Sequence, residues 1–224
     1  MNVQEACLLQ IGQAQLLLYS MGARSVYGFV QAAELSRERA LQLYADMVRN
    51  GILVPENNAL AVQEPWRSCL AQWRAAQTAV RFHAAGNSLP DTCLYPGKET
   101  VLAVTPQQRR PEVLRLTQLP HDRVWDWLAE QYDLPPESPD TLLCEQAPPG
   151  AAQEIAQDMP GLLFLLEYVR PDGTAAERLA AVQRPLYRRL LHEQAGCVAE
   201  KSYRTDALQH CLQLWLRPEK EETP

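Results

Sequence analysis

Apolar side chains recur at helical spacing in the first third of the chain. Between residues 3 and 21 they fall at three- and four-residue steps, which predicts a mostly buried helix that ends at Gly22. A second segment near residues 26–33 leads to Ser36, which is a favourable N-cap residue. The pattern after Ser36 predicts a helix that runs to Asn50.

A hairpin pattern follows these helices. The short apolar runs 52–54 and 59–62 are separated by a Pro-Glu-Asn-Asn turn and predict two paired strands. Pro65 then opens a further helix that carries Trp66 and Trp73 near one face. Helices followed by a hairpin outline a winged-helix-like unit.

The apolar period changes from near 3.6 to near 2 beyond this unit. Short runs divided by Pro, Gly and Asp predict a small antiparallel sheet, closed by a helix with Asp122 as its N-cap: strands at 80–83, 93–95, 100–105 and 113–119, helix at 123–132. The same order recurs later, with Thr205 and Asp206 as the cap: strands at 162–169, 178–182, 186–191 and 197–203, then a helix with Leu208, Leu212 and Trp215.

These elements predict an α+β fold in which a winged-helix-like helical unit precedes two similar antiparallel strand-plus-helix halves with quasi-two-fold symmetry. The expected organisation is a helical unit over 1–78, a first half over 79–135, a Pro-rich connection over 136–160, a second half over 161–217 and a tail over 218–224.

Internal similarity is the basis for expecting two related halves. Glu99–Val104 matches Glu177–Val182, and the helix residues Asp122, Val124 and Leu128 match Asp206, Leu208 and Leu212. The offset drifts by six residues between the two matches, so a duplication requires an insertion. Chance similarity of short apolar runs is the alternative.

Composition excludes several classes of protein. The 224 residues carry a formal net charge of −6, which argues against general nucleic-acid binding because that task needs a surplus of Lys and Arg. The longest apolar run is far shorter than the roughly 20 residues of a membrane span, and the N-terminus lacks the basic start of a secretory signal. We therefore expect a cytoplasmic protein without stable membrane insertion.

No motif for catalysis, metal binding or cofactor binding is present. The six Cys residues form no Cys-x-x-Cys pair, and the four His residues lie in no metal-binding frame. Nucleophile elbows and glycine-rich phosphate loops are also lacking. The sequence predicts no catalytic residue, cofactor or metal; an enzyme whose site is not visible in the sequence is one alternative.

A winged-helix transcription regulator is the second alternative. The first 78 residues hold six basic and six acidic side chains, and the hairpin tip carries Glu56 where a DNA-binding wing would have Arg or Lys. This charge distribution favours a structural or protein-docking unit.

One polar loop is a candidate partner-binding site. Gln107, Gln108, Arg109 and Arg110 lie between two prolines at a predicted hairpin tip. A rigid tip loses less entropy on binding than a flexible one. The alternative is an ordinary solvated hairpin tip.

The order of elements resembles a known family. The helix end at residues 47–53, the aromatic helix at 66–73 and two strand-rich halves, each closed by a helix, are similar to the EspG-type chaperones of type VII (ESX) secretion systems and their relatives in Gram-positive bacteria. The resemblance implies a cytosolic chaperone or adaptor that binds a helical-hairpin substrate, WXG/LXG- or PE/PPE-like, and keeps it soluble until the secretion ATPase takes it.

The resemblance also implies where a partner would bind. The family has no catalytic residues, and its binding surface is formed by the sheet and C-terminal helices. In this chain that surface corresponds to Gln107, Gln108, Arg109 and Arg110 on the loop and to Leu208, Leu212 and Trp215 on the last predicted helix.

Overall fold

A computed structural model describes most of the chain, namely residues 6–23, 35–86, 88–137, 155, 157–185 and 187–217. The predicted segment near 26–33, most of the 136–160 connection and the 218–224 tail lie outside these residues. The described part has helices packed on one large antiparallel sheet, which confirms the predicted α+β class. None of its helices is long and apolar enough to cross a membrane.

The described residues of the N-terminal unit form three helices, an edge strand and a hairpin: β1 (Cys7–Gln10), α1 (Ile11–Ser20), α2 (Arg37–Arg49), β2 (Leu53–Glu56), β3 (Ala59–Val62) and α3 (Trp66–Ala75). The predicted hairpin is confirmed, and its two-residue turn is formed by Asn57 and Asn58 at φ values of 51° and 61°. Positive φ at both positions is the requirement of a tight hairpin turn that matches strand twist.

Each of the two halves is a run of four strands followed by a helix. The first has β4 (Ala79–Ala84), β5 (Thr92–Pro96), β6 (Thr100–Gln107), β7 (Arg110–Pro120), a 3-10 turn (His121–Arg123) and α4 (Val124–Tyr132). The second has β8 (Leu162–Val169), β9 (Ala175–Gln183), β10 (Arg188–Gln194), β11 (Cys197–Ser202) and α5 (Thr205–Trp215).

Within the described part of the chain, nine strands join in the order β1-β7-β6-β5-β4-β8-β9-β10-β11. Every pair is antiparallel, and β4 pairs with β8 at the centre. The two meanders therefore extend in opposite directions from this junction with the same order of elements. A duplication stays a prediction, which superposition of residues 79–132 on 161–216 would test.

The strand match behind the duplication hypothesis does not follow this order. Thr100–Val104 belongs to β6, the third strand of its half, whereas Glu177–Val182 belongs to β9, the second strand of the other half. Similar short apolar runs occur in strands at non-equivalent positions of the two halves because strands of one covered sheet bury their side chains in the same alternating pattern. The helix match is consistent with topology, since α4 and α5 close their respective halves.

The predicted helix from residue 3 is wrong at its start. Cys7–Gln10 is a strand that pairs with β7, Leu9 opposite Leu114, and the helix begins only at Ile11. Cys7 and Leu9 are buried between helices and sheet, so the strand places its alternate side chains in the same core as the helix that follows. The apolar residues between positions 3 and 21 follow one another so closely that their pattern does not show the change from strand spacing to helical spacing at Ile11.

The observed helix caps agree only in part with the predicted ones. Ser36 caps α2 as predicted, since its Oγ accepts a hydrogen bond from the Arg39 backbone N–H at 3.2 Å. Asp122 lies in the 3-10 turn and caps no helix. At α5, the backbone N–H of Thr205 donates instead to the Glu137 carboxylate at 2.9 Å, so a residue distant in sequence satisfies this helix end.

The sheet is covered on both faces. Helices α4 and α5 lie on one face over a core that includes Phe82 and Phe164, whose ring centroids are 5.5 Å apart. Helices α1 and α3 cover the other face of the first half, where Trp73 packs against Tyr95 at 5.2 Å. A smaller cluster around Ile155 covers that face in the second half.

A row of charged side chains crosses the central junction on the face opposite α4 and α5. Glu167 on β8 is only 8% exposed and lies between two guanidinium groups. Arg81 Nη1 is 3.1 Å from its carboxylate, and Arg178 Nε is 3.2 Å from it. Glu193 on β10 extends the row, 3.4 Å from Arg178. The register of β4, β8, β9 and β10 places these four residues directly opposite one another.

Replacing Glu167 by Gln should therefore destabilise the fold. The change removes the negative charge between two half-buried cations, and we expect the free energy of unfolding to fall by about 2–3 kcal/mol. Urea unfolding followed by circular dichroism measures this. The matched control is Glu112→Gln, whose pair with Arg110 is largely exposed at 3.5 Å and whose loss should change stability by less than about 0.5 kcal/mol. Equal effects of the two variants would contradict the assignment.

Candidate functional site

Two cavities lie side by side where α4 ends. The first, here called the basic cavity, has a volume of about 380 Å³ and is lined by Leu89, Pro90, Thr105, Pro106, Gln107, Gln108, Arg109, Arg115, Gln131 and Tyr132. The second, here called the apolar cavity, is of about 380 Å³ and is lined by Ala84, Ala85, Gly86, Leu89, Gln131, Tyr132, Asp133, Leu134, Pro135 and Leu163. Three shared residues join them into one groove, the α4-end groove.

Hydrogen bonds between neighbouring loops shape the basic cavity. The tip of the β6–β7 hairpin lies beside the β4–β5 connection, and Gln108 Nε2 donates to Ser88 Oγ at 2.6 Å. The connection itself is held to β4, because His83 Nδ1 is 2.7 Å from Asp91 Oδ1. The walls of the cavity are thus tied together by side chains from both loops.

Tyr132 forms the buried wall shared by the two cavities. Its hydroxyl donates to the Pro90 carbonyl at 2.8 Å and lies 2.6 Å from Thr92 Oγ1, which in turn contacts Thr105 Oγ1 at 2.6 Å. Burial raises the pKa of Tyr132 to about 12. The phenol therefore stays protonated into the alkaline range, and its hydrogen bonds connect the end of α4 to Pro90 and Thr92.

The chain turns sharply at the end of α4 and so creates the apolar cavity. Asp133 adopts the left-handed conformation, with φ 50° and ψ 51°, and the Leu134 backbone N–H returns to the Ala129 carbonyl at 3.0 Å. Leu134 and Pro135 then line the cavity. Tyr203 of the second half donates its hydroxyl to the Pro135 carbonyl at 2.9 Å, which holds this loop in place.

Charge is distributed unevenly along the groove. Arg109 and Arg115 are exposed and form no ion pair with any residue that the structure describes. Arg110 pairs with Glu112 at 3.5 Å and does not line the groove. The basic cavity thus presents two cations on a chain whose net charge is −6. Asp133 places a carboxylate at the apolar cavity instead.

The structure separates the predicted binding residues into two groups. Gln107, Gln108 and Arg109 line the basic cavity, with Arg110 next to them on the hairpin tip. In contrast, Leu208, Leu212 and Trp215 are 0%, 2% and 8% exposed and pack in the core under α5. The prediction that these three residues present an apolar surface is therefore wrong, because the helical stripe they form faces the sheet.

Sequence reasoning missed several groove residues. Arg115 reaches the site because β7 pairs with β6, which places it opposite Thr105. Gln131 and Tyr132 lie at the end of α4, and Leu134 follows the left-handed residue Asp133. Of these features, only the chain turn after Asp133 had a signal in the sequence, the Leu-Pro-Pro run. The pairing register of β7 and the direction of α4 depend on residues distant in sequence, so no local pattern predicts them.

A second polar cluster lies at the end of α5. The Glu177 carboxylate accepts a hydrogen bond from Trp215 Nε1 at 3.2 Å and from Gln194 Nε2 at 3.1 Å, and His192 Nε2 lies 3.1 Å away. These contacts satisfy the buried indole of Trp215 and fix the end of the helix. In the part of the chain that the structure describes, no three His, Cys, Asp or Glu residues are arranged to hold a metal ion.

No protein-family profile matches the chain, and no curated protein matches its sequence. Among solved structures, the chain is similar to EspG5, the type VII secretion system chaperone of Mycobacterium tuberculosis, determined in complex with the PE25–PPE41 dimer. The TM-score is 0.61 at 12% sequence identity, and the alignment covers 96% of this chain and 98% of EspG5. The chain has the EspG fold.

The EspG fold accounts for nearly the whole chain. With 96% of the residues aligned, the N-terminal unit and both strand-plus-helix halves are parts of one architecture. The resemblance inferred from the order of elements is therefore confirmed at the level of the fold.

Substitutions on α5 distinguish its core side chains from its exposed ones. Leu212→Asp places a carboxylate in the core beneath α5 and should lower the free energy of unfolding by more than about 4 kcal/mol. Leu214 is 46% exposed on the same helix, so Leu214→Asp should change stability by less than about 1 kcal/mol. Thermal unfolding followed by circular dichroism measures both. A folded Leu212→Asp variant of normal stability would show that α5 does not pack as described.

Tyr132 should make the fold sensitive to alkaline pH. An ordinary tyrosine has a pKa near 10, so the unfolded chain loses this proton before the folded protein does. The stabilisation is complete below pH 10 and is lost as the pH rises towards 12, by up to about 2 kcal/mol. Urea unfolding at pH 8 and pH 11 should show a smaller difference for Tyr132→Phe than for wild type. Equal differences for wild type and Tyr132→Phe would contradict this role of Tyr132.

Proposed function

We propose that this protein is a cytosolic type VII secretion chaperone, which binds a helical-hairpin substrate and keeps it soluble for export. The observation that carries the proposal is the EspG fold over 96% of the chain. EspG5 was determined in complex with the PE25–PPE41 dimer, which supports a PE/PPE-like or WXG/LXG-like protein as the partner class.

The α4-end groove is the surface best suited to such a partner. It combines apolar walls with a few amide and guanidinium groups, which is the usual composition of a specific binding site. Its walls are joined by partly buried hydrogen bonds, so little side-chain and loop entropy is lost when a partner binds. The hairpin tip that carries Gln107 and Gln108 belongs to this surface.

A winged-helix regulator is less well supported. The tip of the β2–β3 hairpin carries Glu56, and this carboxylate lies 3.4 Å from Arg67, so a cation that could contact phosphate is paired within the unit. Leu60 on the same hairpin is 51% exposed, and a leucine side chain has neither a positive charge nor a hydrogen-bond donor for phosphate. The N-terminal unit is thus better suited to contacts with protein than to contacts with DNA.

Co-expression with candidate partners tests the proposal. Each helical-hairpin protein encoded beside this gene is expressed with the tagged chain, and we expect at least one to remain soluble and to co-elute with it in gel filtration. Failure to capture any of these proteins would contradict the chaperone function. Mobility shift of random duplex DNA at low salt is the parallel measurement, and salt-sensitive micromolar binding would favour the regulator instead.

A matched pair of variants on α4 tests the groove. Gln131 lines both cavities, so Gln131→Trp fills the groove and should reduce capture of the partner at least tenfold. Glu130 is the neighbouring exposed residue and lies outside the groove, so Glu130→Trp should capture as wild type does. Circular dichroism confirms that both variants fold. Equal capture by the two variants would place the partner elsewhere.

A further inference from the structure

We propose that the α4-end groove binds its partner in one orientation, with an apolar side chain in the apolar cavity and a carboxylate in the basic cavity. The inference rests on the proposed function and specifies the partner further. The hairpin tip that binds here should carry Asp or Glu one helical turn away from an exposed apolar residue.

The cations of the basic cavity are the first reason. Arg109 and Arg115 line it without an ion-pair partner among the described residues. The other polar side chains there are the amides of Gln107, Gln108 and Gln131 and the hydroxyls of Thr105 and Tyr132. A guanidinium group can bind a carboxylate through two parallel hydrogen bonds, and amide N–H groups can add to them. The cavity lacks an acidic lining residue, so a carboxylate meets no repulsion from its walls.

The apolar cavity excludes the reverse orientation. Its walls include Leu134, Pro135 and Leu163, which offer an apolar side chain a dry contact and offer a carboxylate no hydrogen-bond donor. Asp133 lies at this cavity and would repel a second carboxylate. An acidic group of the partner is thus favoured at one end of the groove and disfavoured at the other.

The spacing of the partner's two side chains follows from the shared wall. Leu89, Gln131 and Tyr132 line both cavities, so the two cavities are directly adjacent. Residues three or four positions apart on a helix have Cβ atoms about 5–6 Å apart on one face. A helical tip with this spacing places one side chain in each cavity.

Charge reversal on both sides of the interface tests the orientation. The double variant Arg109→Glu/Arg115→Glu should capture the hairpin protein found by co-expression at least tenfold less well than wild type. Changing the tip Asp or Glu of that protein to Lys should weaken capture by wild type and restore capture by the double variant. The control Arg37→Glu/Arg39→Glu changes the net charge equally on exposed positions of α2 and should leave capture within twofold of wild type.

The outcomes separate this inference from the proposed function. Undiminished capture by Arg109→Glu/Arg115→Glu, or loss without rescue by the Lys variant, would overturn the orientation while the chaperone function stands. Equal loss in the α2 control would show a general charge effect and would also overturn it. If wild type captures no hairpin protein, the proposed function fails, and the orientation fails with it. Circular dichroism and the melting temperature of each variant verify the fold.

Discussion

The pairing of β4 with β8 is the contact on which the rest of the structure depends. It joins two meanders into one sheet, and Glu167 between Arg81 and Arg178 marks its centre. Shifting β8 by one residue relative to β4 would move the Glu167 carboxylate to the opposite face of the sheet. There it would lie in the aromatic core in which Phe82 and Phe164 stack. Such a row contributes little net stability compared with apolar contacts, but it penalises every other register strongly.

The groove depends on this junction because it is built from both halves. Its basic cavity belongs to the β6–β7 tip and the β4–β5 connection, whereas Leu163 of the apolar cavity lies on β8. The loop after α4 is fixed from the second half by Tyr203, and Arg188 donates to the Pro136 carbonyl at 2.9 Å. Neither half alone would present the complete groove, so the shape of the groove depends on the integrity of the sheet.

Much of the fold could be predicted because periodicity records which face of an element is buried. The strand at 162–169 coincides with β8, and Ser36 caps α2, since both depend on local side-chain chemistry. The strand at Cys7–Gln10 could not be separated from α1, because consecutive apolar residues in a short edge strand resemble a buried helical turn. Periodicity also identified the stripe of α5 that includes Leu212, but it could not tell a core stripe from a binding stripe.

The groove itself was only partly predictable, because its residues come from four separate segments of the chain. The hairpin tip was recognised from its prolines and polar side chains, whereas Arg115 and Gln131 reach the site through strand register and the length of α4. The composition of the groove also suits the proposed function. A chaperone must release its client to the export machinery, so its interface needs orientation and fast association more than extreme affinity. Exposed guanidinium groups at the rim supply orientation and association rate with a modest gain in affinity, while a small apolar cavity limits the area that must be re-exposed on release.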